Sequence, residues 1–239
     1  MYESDFAAVY DDICRTQRDY AAQAARTLDL VRARRPDAAS LLDVGCGTGE
    51  ELVHLREHFE VTGVDLSEPM VRVARAKLEG VEVHRADMLA FDLGRTFDVV
   101  GSFYSAVGYL ADTAELGAAV RNMAAHLVPG GILVVEPFFL PERWNGGDLV
   151  DTVFEAGGRR IARMGKWHTE EGRCHVAMHY LVGDPARESG EVRHFVDRQT
   201  LTLFGREDYE RAFTDAGCTV EFLPDGYLDR GVFIGVRRF

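Results

Sequence analysis

The residues best equipped to do chemistry lie in the run Leu41-Leu42-Asp43-Val44-Gly45-Cys46-Gly47-Thr48-Gly49 and, sixteen positions after Gly49, at Asp65. Glycines at such a turn admit positive φ and let a ligand approach the backbone. An acid that closes the next apolar run, Val61-Thr62-Gly63-Val64, is placed to accept hydrogen bonds from two ribose hydroxyls. Together they describe a Rossmann-type nucleotide-binding turn between a buried strand and a helix. The spacing narrows the ligand. A dinucleotide fold asks for G-x-G-x-x-G, so that pyrophosphate rests on the helix N-terminus; here the third glycine comes one position early and Glu50 takes the last glycine's place. A carboxylate there would repel a diphosphate. Glycine turns also occur in ordinary α/β domains, and a lone G-x-G discriminates little by itself.

Such a turn works only when strands and helices hold it at a sheet edge. Ala21, Ala24, Ala25, Leu28 and Val31 at helical spacing predict a helix over 17–35, stopped by Pro36. Strands are then expected at 40–44, 61–65, 81–84, 97–101 and 131–136, with helices at 49–57, 68–78 and 112–127, the last closed by Pro129-Gly130-Gly131. This alternation predicts an α/β fold with a Rossmann-like doubly wound sheet, whose ligands bind just beyond the strand C-termini. After Pro137 the pattern changes to short β-branched and aromatic segments separated by turns, read as antiparallel hairpins, followed by a helix at 205–216 and closing strands near 219–223 and 231–237. The expected organisation is a core over 1–137 with an N-terminal helical cover, a β-rich insertion over 138–204 roofing the active site, and a return to the core over 205–239.

Composition bounds the partners. A formal charge of -12 over 239 residues argues against a non-specific grip on nucleic acid, which needs clustered Lys and Arg. The cysteines at 14, 46, 174 and 218 show no CxxC pair, so neither zinc nor a disulfide framework is indicated, and a reducing cytoplasm is the expected compartment. His54 and His58 have i, i+4 spacing without a third ligand, so no metal site is expected. No apolar run is long enough to span a bilayer, and Met1-Tyr2-Glu3-Ser4-Asp5 does not read as a signal peptide.

The order LLDVGCGTG, GVDLS, ADM, FDVV, LVPGGILVVEP and TLTLFGREDYERAFTDAGCTVEFL resembles the class I S-adenosylmethionine (SAM) methyltransferases that dimethylate amino groups of dTDP-linked deoxysugars in antibiotic biosynthesis, nearest to the desosamine and mycaminose enzymes. The family's Trp-Trp after Glu-Pro is here Phe138-Phe139, and its Ser-Gly-Arg-Gly is Leu228-Asp229-Arg230-Gly231, departures that bear on the sugar and not on the reaction. The resemblance implies SAM as cofactor, a dTDP-amino-deoxysugar as partner, and a monomer or homodimer. It puts Asp43, Gly45, Cys46 and Gly47 around the methionine portion, Asp65 on ribose, Leu66 over adenine, Asp87-Met88 as an adenine clamp, and Tyr20 on a helix that closes over the cofactor; Ser102 falls in the next matching stretch. Asp87 alone would read as a helix cap.

For the acceptor, the resemblance points to Tyr2, Tyr10, Phe103, Tyr104, Ser105, Glu136, Phe138 and Phe139, with Arg230 on the diphosphate; Arg159, Arg160, Lys166 and Arg198 are weaker phosphate candidates. Trp144 and Trp167 join the two phenylalanines as aromatics for thymine. In-line methyl transfer to an amine rests on positioning, and a general base is useful without being obligatory. Tyr109, in the loop after the fourth strand, and His179, which shares a strand face with His175, are the residues singled out to orient the amine or take a proton; that histidine spacing fits a solvated sheet face equally well. Amine position (C3 or C4), one or two methylations, and the rival of a SAM methyltransferase with another small acceptor stay open at this level.

Overall fold

A computed structural model describes residues 4–186, 190–227 and 230–238. Helices α1 (Ser4–Cys14) and α2 (Tyr20–Arg32) precede an alternating run: β1 (Ser40–Val44), α3 (Glu50–Leu55), β2 (Glu60–Asp65), α4 (Glu68–Lys77), β3 (Glu82–Arg85), β4 (Phe97–Ser102), α5 (Thr113–Ala125) and β5 (Leu127–Val135). There follow β6 (Leu149–Ala156), β7 (Arg159–Lys166), β8 (His168–Glu170), β9 (Arg173–Gly183) and β10 (Val192–Thr202), then α6 (Arg206–Asp215), β11 (Glu221–Tyr227) and β12 (Gly231–Val236). Strands β1 to β5, β11 and β12 form one sheet in the order β11-β12-β5-β4-β1-β2-β3, in which β12 alone runs antiparallel to its two neighbours; β6 to β10 form a second, antiparallel sheet. The Rossmann-like α/β fold with an antiparallel addition follows the expectation.

The central strands read as continuous apolar runs because both faces are covered. Alternate residues serve opposite cores: Leu42, Val44, Val100 and Leu133 pack with α5 and α6, while Leu41, Val99, Ile132 and Val134 pack with α2, α3 and α4. Asp19 caps α2 by accepting from Ala22 N at 2.9 Å, so the helix starts three residues later than the apolar spacing predicts. Gly130 and Gly131 lie inside β5, which begins at Leu127 with an irregular register against β4, so the turn signal there marks a bulged strand start and not a loop. Helix α1 has no counterpart among the expected elements; it packs Phe6, Val9 and Ile13 against Met70 of α4 and the inner face of the second sheet.

Candidate active site

The glycine turn stands at the C-terminal end of β1. Gly45 has φ +84°, and Gly45 N and Cys46 N both donate to Val64 O, at 2.7 and 3.0 Å, which pins the turn to β2. A Cβ on Gly45 would lie 2.4 Å from Ala106 Cβ, so the backbone there admits no side chain, whereas one on Gly47 would meet nothing within 4 Å: it faces an open cleft. Asp65 closes the turn from β2, accepting from Gly47 N at 2.8 Å and Ser67 N at 2.7 Å. Burial raises its pKa, against those two backbone bonds. Each oxygen keeps acceptor capacity after one backbone bond.

The cleft is walled by Tyr10, Tyr20, Phe103 and Tyr104 and floored by the turn together with Asp43, Glu50 and Glu51. Asp43 is 2% and Glu51 3% exposed, yet among the described residues Asp43 Oδ1 and both carboxylate oxygens of Glu51 have no hydrogen-bond partner. Burial pushes both pKa values well up, with Asp65 adding to Asp43 and then Asp43 and Glu136 adding to Glu51. Buried carboxylates without partners are costly in an empty cleft and call for a cationic ligand. Glu50 behaves differently. Its carboxylate takes Arg15 Nε at 2.9 Å and Nη2 at 2.7 Å and contacts Lys77 Nζ; burial opposes ionisation, but those cations hold its pKa below the ordinary value. The expectation that Glu50 turns away diphosphate is therefore corrected, since its charge is compensated. The unpartnered Asp43 and Glu51 exclude an anion instead. Sequence reading missed Glu51 because the acid pair Glu50-Glu51 opens a helix, where such residues are ordinary.

Beyond β4, Tyr104 (φ 59°) and Ser105 (φ 62°) are consecutive non-glycine residues in left-handed backbone, a costly conformation that the surroundings must enforce. Glu136, fully buried after β5, accepts from Tyr104 N at 2.7 Å and Gln23 Nε2 at 3.3 Å; Ser105 Oγ donates to Pro137 O at 3.0 Å and accepts from Arg230 Nη1 at 2.7 Å. Arg18 lies 3.3 Å over the Tyr104 ring and 3.9 Å from Glu136 Oε1, and Tyr20 stacks on Tyr104 at 5.1 Å. Burial raises the Glu136 pKa despite Arg18 and Arg230, and burial lowers Arg230 to about 10 despite Glu136. Arg18 and Gln23 were invisible as site residues, being separated from Glu136 by more than a hundred positions.

Most of the singled-out residues converge here. Leu66 (45% exposed) follows Asp65, and the Met88 methyl comes within 3.8 Å of the Cβ position of Gly45. Exposed Asp87 accepts from Leu89 N at 2.9 Å within a turn over 88–90, so the helix cap its position alone suggests has no helix to cap. Tyr109, 42% exposed, ends a 3-10 turn (Ala106–Tyr109) whose Ala106 packs on Gly45. Arg230 lies 4.6 Å over Phe139 and 5.6 Å over Phe138, and Trp144 and Trp167 pack on the same rings. Cys46 is buried at the turn. Tyr2 lies outside the described residues.

Other placements are corrected. His179 is exposed on the outer face of the second sheet, stacked on His194, because the inward alternation of β9 belongs to Val176, Met178 and Tyr180; it cannot reach the cleft. Ser102 is fully buried at the end of β4 and does not line the cleft. Arg160, Lys166 and Arg198 sit on that same outer face, and Arg159 is tied to Asp12 at 2.8 Å.

Residues 41–131 match the model of a methyltransferase domain. The dTDP-3-amino-3,4,6-trideoxy-alpha-D-glucopyranose N,N-dimethyltransferase of Streptomyces venezuelae is 46% identical over 238 residues, 99% of this chain and 99% of that protein. The chain belongs to the dTDP-aminosugar N,N-dimethyltransferase family. A Saccharopolyspora spinosa member, the dTDP-4-amino-2,3,4,6-tetradeoxy-D-glucose N,N-dimethyltransferase, is 37% identical over 99% of this chain and 94% of its own. The SAM-bound amino pentose methyltransferase CalS10 of Micromonospora echinaspora, from calicheamicin biosynthesis, superposes with a TM-score of 0.86 at 39% identity, covering 99% and 98% of the two chains. SAM is the cofactor of this family member, and the cleft fits it: a turn with open space before Gly47, a ribose-type acid at Asp65, and, among the described residues, unpartnered carboxylates for the ammonium and sulfonium of the methionine portion.

Proposed function

We propose that this protein N-methylates, and dimethylates, the amino group of a dTDP-linked amino deoxysugar in natural-product biosynthesis. The observation that carries the reading is the polarity of the cleft, unpartnered buried acids at the glycine turn and Arg230 beside aromatic rings across from it, in a chain matched end to end by dTDP-aminosugar dimethyltransferases. SAM, when bound, supplies an electrophilic methyl on its sulfonium for in-line transfer to nitrogen. In this reading Asp43 and Glu51 hold the ammonium and face the sulfonium, Asp65 accepts from ribose, and Leu66 with Asp87 and Met88 contacts adenine. Tyr10, Phe103, Tyr104 and Tyr109 enclose the amine, Glu136 fixes the strained Tyr104–Ser105 backbone, and Arg230 takes the diphosphate next to Phe138 and Phe139. The chain's contribution is mainly positioning.

Among the described residues no helix is long and apolar enough to cross a membrane. The four cysteines carry free thiols, in keeping with a reducing cytoplasm.

Incubation with SAM and a panel of dTDP-3-amino and dTDP-4-amino sugars, followed by mass spectrometry, should add two methyl groups to one amine position. Methylation of a sugar hydroxyl or of a non-nucleotide amine, with every dTDP-amino sugar left unmodified, would overturn the assignment.

A further inference from the structure

Between β3 and β4 the chain runs from Ala86 to Thr96 without strand or helix, with a turn over 88–90. The segment starts where Ala86 N donates to Asp65 O at 3.0 Å, on the acid that closes the cofactor turn. Ala90 N and Phe91 N then donate to Asp87 O, both at 3.0 Å, and the Met88 methyl comes within 3.8 Å of the Cβ position of Gly45. A loop with so few bonds of its own keeps one shape only when a neighbour satisfies its backbone and offsets its lost entropy. That neighbour is the last turn of α5.

Asn122 Nδ2 donates to Met88 O at 3.1 Å. One helical turn on, His126 is buried, with Nδ1 2.9 Å from Asn122 O and Nε2 3.3 Å from Leu93 N. A carbonyl can only accept and a backbone N–H can only donate, so the ring proton belongs on Nδ1 and the lone pair on Nε2 faces Leu93 N. Asp92 Oδ1, 3.9 Å from Nε2, is engaged by Gly94 N at 2.8 Å. The imidazole also lies against buried Phe91, ring centroids 4.3 Å apart, while Leu89 and Leu93 pack on the cluster that holds Val120 and Met123 of α5. Residues four apart share one face of a helix, so Asn122 and His126 together grip the loop on either side of its turn, at Met88 O and at Leu93 N. Taking Asp87 and Met88 as the adenine contacts proposed above, we infer that Asn122 and His126 are positioning residues: they hold the 86–94 segment in the shape that walls the adenine end of the SAM site.

Calorimetry with S-adenosylhomocysteine on the full-length protein reads the effect. Asn122→Leu keeps the side chain's shape without its donor and should raise Kd about fivefold or more, as a lost hydrogen bond does. Substitutions of His126 separate the two ring nitrogens. His126→Gln presents an acceptor near the Nε2 position and should stay within about threefold of wild type, whereas His126→Asn reaches only as far as Nδ1 and should weaken binding as Asn122→Leu does. Both remove the ring from Phe91, so a packing role alone would make them alike. Amides of 88–93 should exchange faster in Asn122→Leu and His126→Asn, with those of β1 and β5 unchanged. A second probe tests the adenine contacts separately: S-inosylhomocysteine, with oxygen in place of the 6-amino group, should bind the wild type more weakly than S-adenosylhomocysteine. Equal affinity for the two, with Asn122→Leu and His126→Asn still weakened, would move the contact to another part of the cofactor and leave the positioning role standing. Unchanged S-adenosylhomocysteine affinity in Asn122→Leu, or His126→Gln as weak as His126→Asn, would overturn that role.

Discussion

Asp43 and Glu51 are a liability to the empty protein and an asset to the occupied one. Their carboxylates are buried with lone pairs unmet, and burial raises both pKa values. A group whose folded pKa is raised contributes stability that is complete below its unfolded value, near 4, and lost as pH rises through the folded value. The unliganded protein should therefore lose thermal stability as pH climbs from about 4 through the raised folded values, and SAM, bound as proposed above with its positive charge on these carboxylates, should raise Tm by more at the upper end. Glu51→Gln tests the same point by chemistry: it should raise the unliganded Tm, by removing a buried charge, while weakening SAM binding by about 1.5–3 kcal/mol. A SAM-induced Tm shift that is flat with pH, or a Gln variant that binds SAM normally, would take Glu51 out of the site. The same residue shows where sequence reading stops. Asp43, Asp65 and the glycines were legible because their spacing along the chain is itself the geometry of the turn. Glu51, Arg18 and Glu136 meet only through packing of α2, α3 and the end of β5, and no local pattern encodes that meeting.

Among the elements, α1 is the one least legible and most consequential. Ser4–Cys14 carries three acids and only a scatter of apolar residues, so nothing local demands a helix. Its stability is tertiary: Phe6, Val9 and Ile13 are buried, and an ionic cluster ties its C-terminal end to the cofactor turn. Lys77 of α4 bridges Asp11, at 2.6 Å, and Glu50; Arg15 pairs with Glu50; and Asp11 accepts from Thr48 Oγ1 in the turn. With Tyr10 on the cleft wall, α1 acts as a strap across the SAM site. The strands, by contrast, were readable from runs of apolar residues broken by glycine, and the errors lie where one cue has two meanings. Pro129-Gly130-Gly131 ends a helix as well as it begins a bulged strand, and alternation in β9 says which residues share a face without saying which face is inward. Lys77→Ala leaves the buried Glu50 and largely buried Asp11 carboxylates facing each other without their shared cation, and removing one partner from such a cluster is strongly destabilising. Hydrogen exchange should accelerate across residues 4–14, and stopped-flow measurement should show SAM leaving several-fold faster. An unaltered off-rate in a variant whose α1 has loosened would deny the strap its role.

At the scale of the whole molecule the chain is built on three main apolar clusters, two flanking the seven-stranded sheet and a third that joins α1, Met70 of α4 and the inner face of the antiparallel sheet. The third cluster draws residues from both sheets' territories, so it decides how the antiparallel sheet sits on the cofactor domain. Phe6 is central to it, 4% exposed, with its ring 5.4 Å from Tyr10, 5.3 Å from Tyr180 and 6.3 Å from Phe195. Truncating a buried phenylalanine typically costs about 3–5 kcal/mol, with the spread set by how far the site collapses. Because the flanking clusters do not contain Phe6, that cost should fall on one cooperative unit and not on the molecule evenly. In Phe6→Ala, amides of β9 and β10 and of α1 should exchange markedly faster under native conditions, while those of β1, β4 and β5 keep their protection. Binding should follow the same division: SAM affinity falls because Tyr10, on the cleft wall, loses its backing. Equal loss of protection in β1 and β9 would mean that the two sheets open together, and the separate cooperative unit would have to be abandoned.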